Sequence, residues 1–187
     1  MFVIALSTDS TDKLIRQEAG ESKDILFLNF TDEYKKLPYK AILSMKFILE
    51  NCSKVKNVIK VDDDVSDIRM KSVQRTVSKS KSSDFLYCKV HSVNKISRKV
   101  EGKVPKKWSV TEEEFPKRNP DTYPAFCQGM LIVMPLSTLE ALYKQVPFEP
   151  FMWVDDIYVT GILREHLKPQ PTFYRMELAK RISNDKI

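Results

Sequence analysis

"VKNVIKVDDDVSD", residues 55–67, decides how this chain is to be read. An alternating apolar run ends in three consecutive carboxylates, Asp62, Asp63 and Asp64. Alternation over this length is the pattern of a half-buried strand. Three adjacent carboxylates repel one another and raise each other's pKa unless a cation or hydrogen-bond donors compensate them. The carboxyl end of this strand therefore calls for positive charge. In an extended segment Asp62 and Asp64 point to one side and Asp63 to the other, so the pair spaced by two can share one hard cation. Magnesium or manganese in that position also takes phosphate oxygens, which makes the segment a candidate diphosphate site. The plainer reading is a turn or a helix cap.

Upstream, "FVIAL" (2–6) predicts a short buried strand and a helix through about Ala19, with Ser7, Thr8 or Asp9 as its cap. "DILFLNF" (24–30) predicts a second strand, and residues 34–52 carry a helical apolar stripe with Pro38 in the first turn. Strand, helix, strand, helix, strand is the order of an α/β domain with a largely parallel central sheet flanked by helices. In such sheets ligands bind beyond the carboxyl ends of the strands, where Asp62 to Asp64 fall.

Downstream, residues 67–79 predict a further helix, and "DFLYCKVHSV" (84–93) and "KVPKKWSV" (103–110) two more strands. Pro116, Pro120 and Pro124 make 111–126 a loop. "GMLIVM" (129–134) returns to strand, Pro135 opens a helix, and "FMWVDDIYVTGILREHL" (151–167) begins as loop and ends as helix. Its Asp155 and Asp156 are a second acidic cluster at a helix start, where carboxylates suit the helix dipole. With no internal repeat and no linker, the 187 residues read as a single domain.

Composition sets outer bounds. A hydrophobic fraction of 42% with only four glycines belongs to a folding chain rather than a low-complexity one. The net charge of +6 admits an anionic partner, and most of the excess lies between Lys71 and Lys107, where the only acids are Asp84 and Glu101. No run approaches the roughly twenty apolar residues of a membrane span, and the first ten residues are too short in apolar content for a signal peptide. The chain thus reads as soluble and without an address. Cys52, Cys88 and Cys127 lack zinc spacing, so they read as buried thiols, or as one disulfide and a free thiol in an oxidising compartment.

In their order the motifs resemble the β1,3-galactosyltransferase-like family of inverting glycosyltransferases, over about residues 2–166. In "EAGESKDILFLNFTDEYKKLPYK" (18–40), Glu18, Asp24, Phe30, Asp32, Tyr34, Leu37 and Lys40 match, while Asn29 and Lys36 depart. "KVDDDV" (60–65) matches the family's metal motif closely. "KKWSVTEEEFPKRNPDTYPAFCQG" (106–129) is similar to its tryptophan, Tyr-Pro, Tyr-Pro and aromatic-Cys-x-Gly series, with Phe115-Pro116 in the first Tyr-Pro place. "VDDIYVTGIL" (154–163) resembles its Glu-Asp-Val segment, with Asp155 in place of glutamate.

The resemblance implies the GT-A nucleotide-diphospho-sugar transferase fold, here N-terminally short and without the usual first strand, since members carry a tail, membrane anchor, stem and first strand ahead of this point. It implies Mn2+ or Mg2+ as cofactor, a UDP-sugar as donor and a glycan as acceptor, with no nucleic acid. Asp64 and Asp62 would hold the metal, with His166 as a further ligand. Asp62, Asp63, Lys60, Trp108 and Gly129 would serve the nucleotide sugar, Trp108 and the "YPAFCQG" loop (123–129) would line both the donor and the acceptor sites, and Asp156 would be the catalytic base. Location in the Golgi and a Cys52–Cys127 bridge with Cys88 free are expectations of the same kind. Met130, Leu131 and Ile132 stand where members have a glycine-rich run, and their bulk would narrow a sugar site. Two other readings stand beside this one: a non-catalytic or truncated glycosyltransferase-like domain, and a magnesium-dependent nucleic-acid enzyme with its basic stretch on phosphate.

Overall fold

The computed structural model describes residues 1–7, 11–66, 68, 70–79, 83–92, 94–99, 107–176 and 180–181. Thr8, Asp9, Asp67 and the first half of the expected strand at 103–110, residues 103–106, lie outside the described residues.

The chain opens as the apolar pattern predicts, with β1 (Phe2–Leu6), α1 (Asp12–Ser22), β2 (Ile25–Thr31), α2 (Leu37–Asn51) and β3 (Asn57–Val61). Ser7 donates its backbone N–H to Asp12 Oδ1 at 2.7 Å, tying the end of β1 to the first turn of α1. That helix ends at Lys23, whose left-handed φ of 56° lets its N–H reach the Ala19 carbonyl. A 3-10 turn at Tyr34–Lys36 leads into α2, and Pro38 sits in the first turn of α2, where its missing N–H costs nothing.

There follow β4 (Val65–Ser66), α3 (Met70–Lys79), β5 (Phe85–His91), β6 (Asn94–Lys95), β7 (Thr122–Tyr123), β8 (Phe126–Pro135), α4 (Leu136–Gln145), α5 (Asp155–Ile157), α6 (Leu163–Glu165), β9 (Thr172–Arg175) and β10 (Lys180–Arg181). The expected strand before the proline-rich loop is not formed by its described part. Lys107 and Trp108 lie in a turn, and Val110 makes a single bridge to Arg98.

The sheets are mixed rather than largely parallel. The main sheet has the order β3-β8-β5-β9, with β3/β8 and β5/β8 antiparallel and β5/β9 parallel. A separate two-stranded sheet pairs β1 and β2 in parallel, Phe2 opposite Ile25. Only a crossover returning the chain to the same edge direction imposes parallel pairing. A short β6/β7 pairing lies between β5 and β8 in the chain, and β8 pairs antiparallel with both β3 and β5.

β8 is the central strand, buried from Gly129 to Pro135. On one face of the main sheet Leu86, Cys88, Ile132 and Met134 pack with Met45, Leu139, Leu142, Ile157 and Leu163 from the helices. On the other, Phe85, Tyr87, Leu131 and Val133 pack with Val73 of α3 and Met176. Leu131 and Ile132 are thus committed to the two opposite cores, so their bulk fills the sheet's flanks.

The disulfide joins Cys88 to Cys127, and Cys52 is the free cysteine, which corrects the expected Cys52–Cys127 pairing. The cause is register. β5 and β8 are neighbours, and the irregularity between Cys88 and Val90 sets Cys127 opposite Val90, leaving the two cysteine Cα atoms 5.6 Å apart. Cys52 instead closes α2, its N–H reaching the Ile48 carbonyl. No helix among the described residues is long and apolar enough to cross a membrane.

Candidate active site

The carboxylate triplet begins where β3 runs out of partners. The Asp62 N–H still reaches Met130 O of β8 at 3.0 Å, and then the Val65 N–H turns back to Asp62 O at 3.3 Å. Asp63 and Asp64 therefore occupy the middle of a tight turn. The extended geometry expected for Asp62 and Asp64 is replaced by this turn, because the ladder to β8 ends at Val61 opposite Leu131. Asp63 is exposed and Asp62 and Asp64 half-buried.

Lys60, the last half-buried residue of β3, organises this end of the sheet. Its ammonium pairs with Asp62 and donates to the Gly129 carbonyl at 2.6 Å. Gly129 in turn donates its N–H to Asp156 Oδ2 at 2.8 Å. A cation, a strand glycine and two aspartates from distant parts of the sequence are thereby linked in one chain of hydrogen bonds. At Gly129 no side chain fits, since a Cβ there would stand 2.1 Å from Asp156 Oδ1.

Asp155 and Asp156 open a helix that runs through α5, a wide π turn at Tyr158–Ile162, and α6. Extended backbone at Val154 precedes it. Thr160 fastens this helix to β8, since its hydroxyl donates to Asp156 O at 2.7 Å and accepts from the Cys127 N–H at 2.9 Å. Gly161 brings the same helix against Pro124 and Phe126, where a Cβ would meet carbon atoms at 3.2 and 3.3 Å.

The electrostatics follow from this crowding. Burial, and then the charge of Asp155, push the Asp156 carboxyl up to about 7, against the pull of the Gly129 N–H and Lys60. Burial also raises Asp155, with Lys60 opposing and Asp62 adding to the shift. Two adjacent carboxyls in one poorly solvated place titrate as a pair, and a group poised near neutrality is what proton transfer at physiological pH needs.

Of the residues singled out by sequence, Lys60, Asp62, Gly129 and Asp156 come together, with Asp63 and Asp64 in the adjoining turn. His166 does not join them. Its Nδ1 pairs with Glu149 Oε1, and no three His, Cys, Asp or Glu side chains among the described residues gather as a metal cage would require. The donor set left for a metal is the Asp62–Asp64 turn. Hard carboxylate oxygens, one or two in number with the shell completed by phosphate oxygens, are what magnesium and manganese take in nucleotide sites, so the turn fits such an ion.

Trp108 lies apart from this chain of bonds. Its Nε1–H donates to Tyr34 Oη at 2.8 Å, and Tyr34 packs edge-on to Trp153, ring centroids 6.3 Å apart, two residues before Asp155. The segment carrying Trp108 is held by Glu114, which accepts from Lys35 at 2.7 Å, Lys99 at 3.0 Å and the Thr111 N–H at 2.9 Å. Burial alone would raise Glu114, yet Lys35, the Thr111 N–H and Lys99 bring it down to about 2. Arg98 makes a two-point contact with Asp121 and donates to Phe115 O, bracing the same loop. Two cations of the basic stretch, Arg98 and Lys99, thus hold the loop in place.

Sequence reasoning missed Thr160, Trp153 and Glu114. Thr111-x-x-Glu114 is a reciprocal capping pattern, legible in advance, and Glu114 N–H does return to Thr111 Oγ1 at 3.0 Å. Nothing local marks Thr160 as the tie to β8.

The family model described as galactosyltransferase matches residues 1–172. Human β-1,3-galactosyltransferase 1 is 25% identical over 166 residues, covering 88% of this chain and 49% of the relative. Mouse β-1,3-galactosyltransferase 5 is 27% identical over 174 residues, 91% and 53% respectively. The Drosophila melanogaster β-1,3-galactosyltransferase brn is 25% identical over 163 residues, 85% and 47%. The chain spans about half the length of the curated relatives it matches.

Proposed function

The chain belongs to the galactosyltransferase family, and on that premise we propose that it moves galactose or an N-acetylhexosamine from a UDP-sugar to a hydroxyl of a glycan acceptor, with inversion at the anomeric carbon. The observation that carries this reading is the Asp156 carboxylate, pushed up to about 7 and fixed by the Gly129 N–H beside the Lys60–Asp62 pair. Asp156 takes the proton of the acceptor hydroxyl as its oxygen attacks the anomeric carbon. The bond from that carbon to the diphosphate oxygen breaks on the far side, and UDP leaves with the electron pair.

Lys60 and the Asp62–Asp64 turn form the diphosphate end of the site. Mn2+ or Mg2+ held by Asp62 and Asp64 would neutralise charge on the diphosphate oxygens. Gly129 leaves the room in which Asp156 stands, and Thr160 keeps the helix of Asp156 from drifting off β8. Asp155, unable to ionise easily beside Asp156, keeps the pair's affinity for one proton high. The buried Cys88–Cys127 bridge is of the kind that persists in oxidising compartments, which supports a place in the Golgi lumen.

The test is calorimetric titration of UDP into the chain with and without manganese, followed by donor-sugar screening. Manganese-dependent binding is the expected result. Absence of binding in both conditions would overturn the reading.

A further inference from the structure

We propose that Asn29 carries an N-linked glycan and that this glycan guards the open edge of β2. It rests on the lumenal part of the reading above, because the modification is made inside the secretory pathway.

Two Asn-x-Ser/Thr triplets occur, Asn29-Phe30-Thr31 and Asn51-Cys52-Ser53, neither with proline in the middle. Both asparagines are exposed. The fold uses Asn51, whose Nδ2, the nitrogen that a sugar would take, donates to Phe47 O at 2.9 Å near the end of α2. Asn29 instead stands in β2 between the buried Leu28 and the half-buried Phe30, open to solvent. It is also one of the positions at which the chain leaves the family's pattern, so this triplet belongs to this sequence in particular.

Among the described residues β2 pairs with β1 alone. Phe2 N–H reaches Asp24 O and Asp32 N–H reaches Leu6 O, with Phe2 opposite Ile25 and Ile4 opposite Phe27. In a parallel ladder this puts the bonds to β1 on the even-numbered residues of β2, and turns the N–H and C=O of Ile25, Phe27 and Asn29 outwards. The strand reads Ile-Leu-Phe-Leu-Asn-Phe-Thr, without charge or proline. Such an edge is a template for pairing with another chain, and proteins blunt it with charge, proline or a covering group. A glycan on Asn29 sets a large hydrated group on that edge.

The transfer takes place on the extended chain before β2 folds. Asn29 Nδ2 bonds to the anomeric carbon of an N-acetylglucosamine as the bond from that carbon to the diphosphate of a lipid-linked oligosaccharide breaks. Nδ2 gives up one proton, and the lipid diphosphate leaves with the electron pair.

For the test, the chain is expressed behind a cleavable secretion signal in eukaryotic cells and treated with peptide-N-glycosidase in heavy-oxygen water. Mass spectrometry of the tryptic peptide 24–35 should show the heavy-oxygen mark at position 29, lost in Asn29→Gln and in Thr31→Ala. Glycan-free chain, made from the folded protein by the same enzyme, should gain mass with concentration in light scattering while the glycosylated chain does not. Asn29→Lys, which sets a charge on the edge, should behave like the glycosylated chain. An unmodified Asn29 would overturn the proposal, and equal scattering with and without the glycan would overturn its guarding role. Free Cys88 and Cys127 in the same sample would sink the lumenal reading, whereas a formed bridge with Asn29 unmodified would sink the glycan alone. UDP titration decides the transferase reading independently.

Discussion

Gly129 and Asp156 occupy the same space up to the limit of contact: the amide of one donates to the carboxylate of the other at 2.8 Å, and a Cβ on the glycine would fall 2.1 Å from that carboxylate's second oxygen. Gly129→Ala must therefore move the Asp156 side chain. A displaced base on an otherwise intact fold should lower kcat by roughly a hundredfold. Steady-state kinetics with a fixed donor would show it, and unchanged kcat would mean that Asp156 is not the base.

Asp156→Asn should leave UDP binding near that of the parent and remove transfer. In the parent, activity should fall as pH drops below about 7, because the base must be ionised to accept a proton. The stability consequence has the opposite sense. A carboxyl raised in the fold binds its proton more tightly there than in the unfolded chain, so the fold loses stability as pH climbs from about 4 to about 7. Asp156→Asn, which mimics the protonated form, should match the parent near pH 4 and exceed it above pH 7 by roughly 1–3 kcal/mol. Denaturant melts at the two pH values decide this.

Asp64→Ala should abolish manganese-dependent UDP binding. Paired titrations with and without manganese give the answer. Retained metal dependence would move the ion to Asp62 alone.

Glu114→Gln should loosen the segment that carries Trp108. Its carboxyl is held down near 2 by Lys35, the Thr111 N–H and Lys99, so it stabilises the fold above its ordinary value of about 4.5. That contribution is lost as pH falls through about 2. The variant should be less stable than the parent at pH 7 by roughly 1 kcal/mol, with the difference closing towards pH 2. Thermal melts across that range are the measurement.

Thiol titration of denatured, unreduced protein should find one reactive cysteine, Cys52, and three after reduction. Cys88→Ala together with Cys127→Ala should cost about 2–4 kcal/mol, whereas Cys52→Ser should be nearly neutral. Two or three reactive thiols before reduction would remove the bridge from the account.

Elements were legible wherever a residue's role depends on its near neighbours. The alternation of 55–61 and the stripe of 37–51 place β3 and α2, and Pro38 and Pro135 mark the starts of α2 and α4 without reference to the rest of the chain. The acidic end of β3 and the acidic start of the last helix were equally visible as sites of charge. What they do for each other was not. Lys60 could be named from its motif, but its double contact to Asp62 and Gly129 depends on β8 lying beside β3, a pairing between segments some seventy residues apart.

The disulfide and the sheet show why the remainder needed the fold. Nothing in the spacing of Cys52, Cys88 and Cys127 says which pair meets, because covalent geometry asks only for two Cα atoms about 5–6 Å apart and the sheet register decides which two satisfy it. Strand direction escaped for the same reason, since the loop from β5 to β8 permits either sense and packing chose the antiparallel one. The amino-acid sequence by itself determined the elements, the two acidic ends and the family to which the chain belongs. Only the tertiary structure decided that Gly129 stands against Asp156, that Trp108 answers to Tyr34, and that His166 goes to Glu149, because contacts between distant segments are settled by register and packing rather than by local preference.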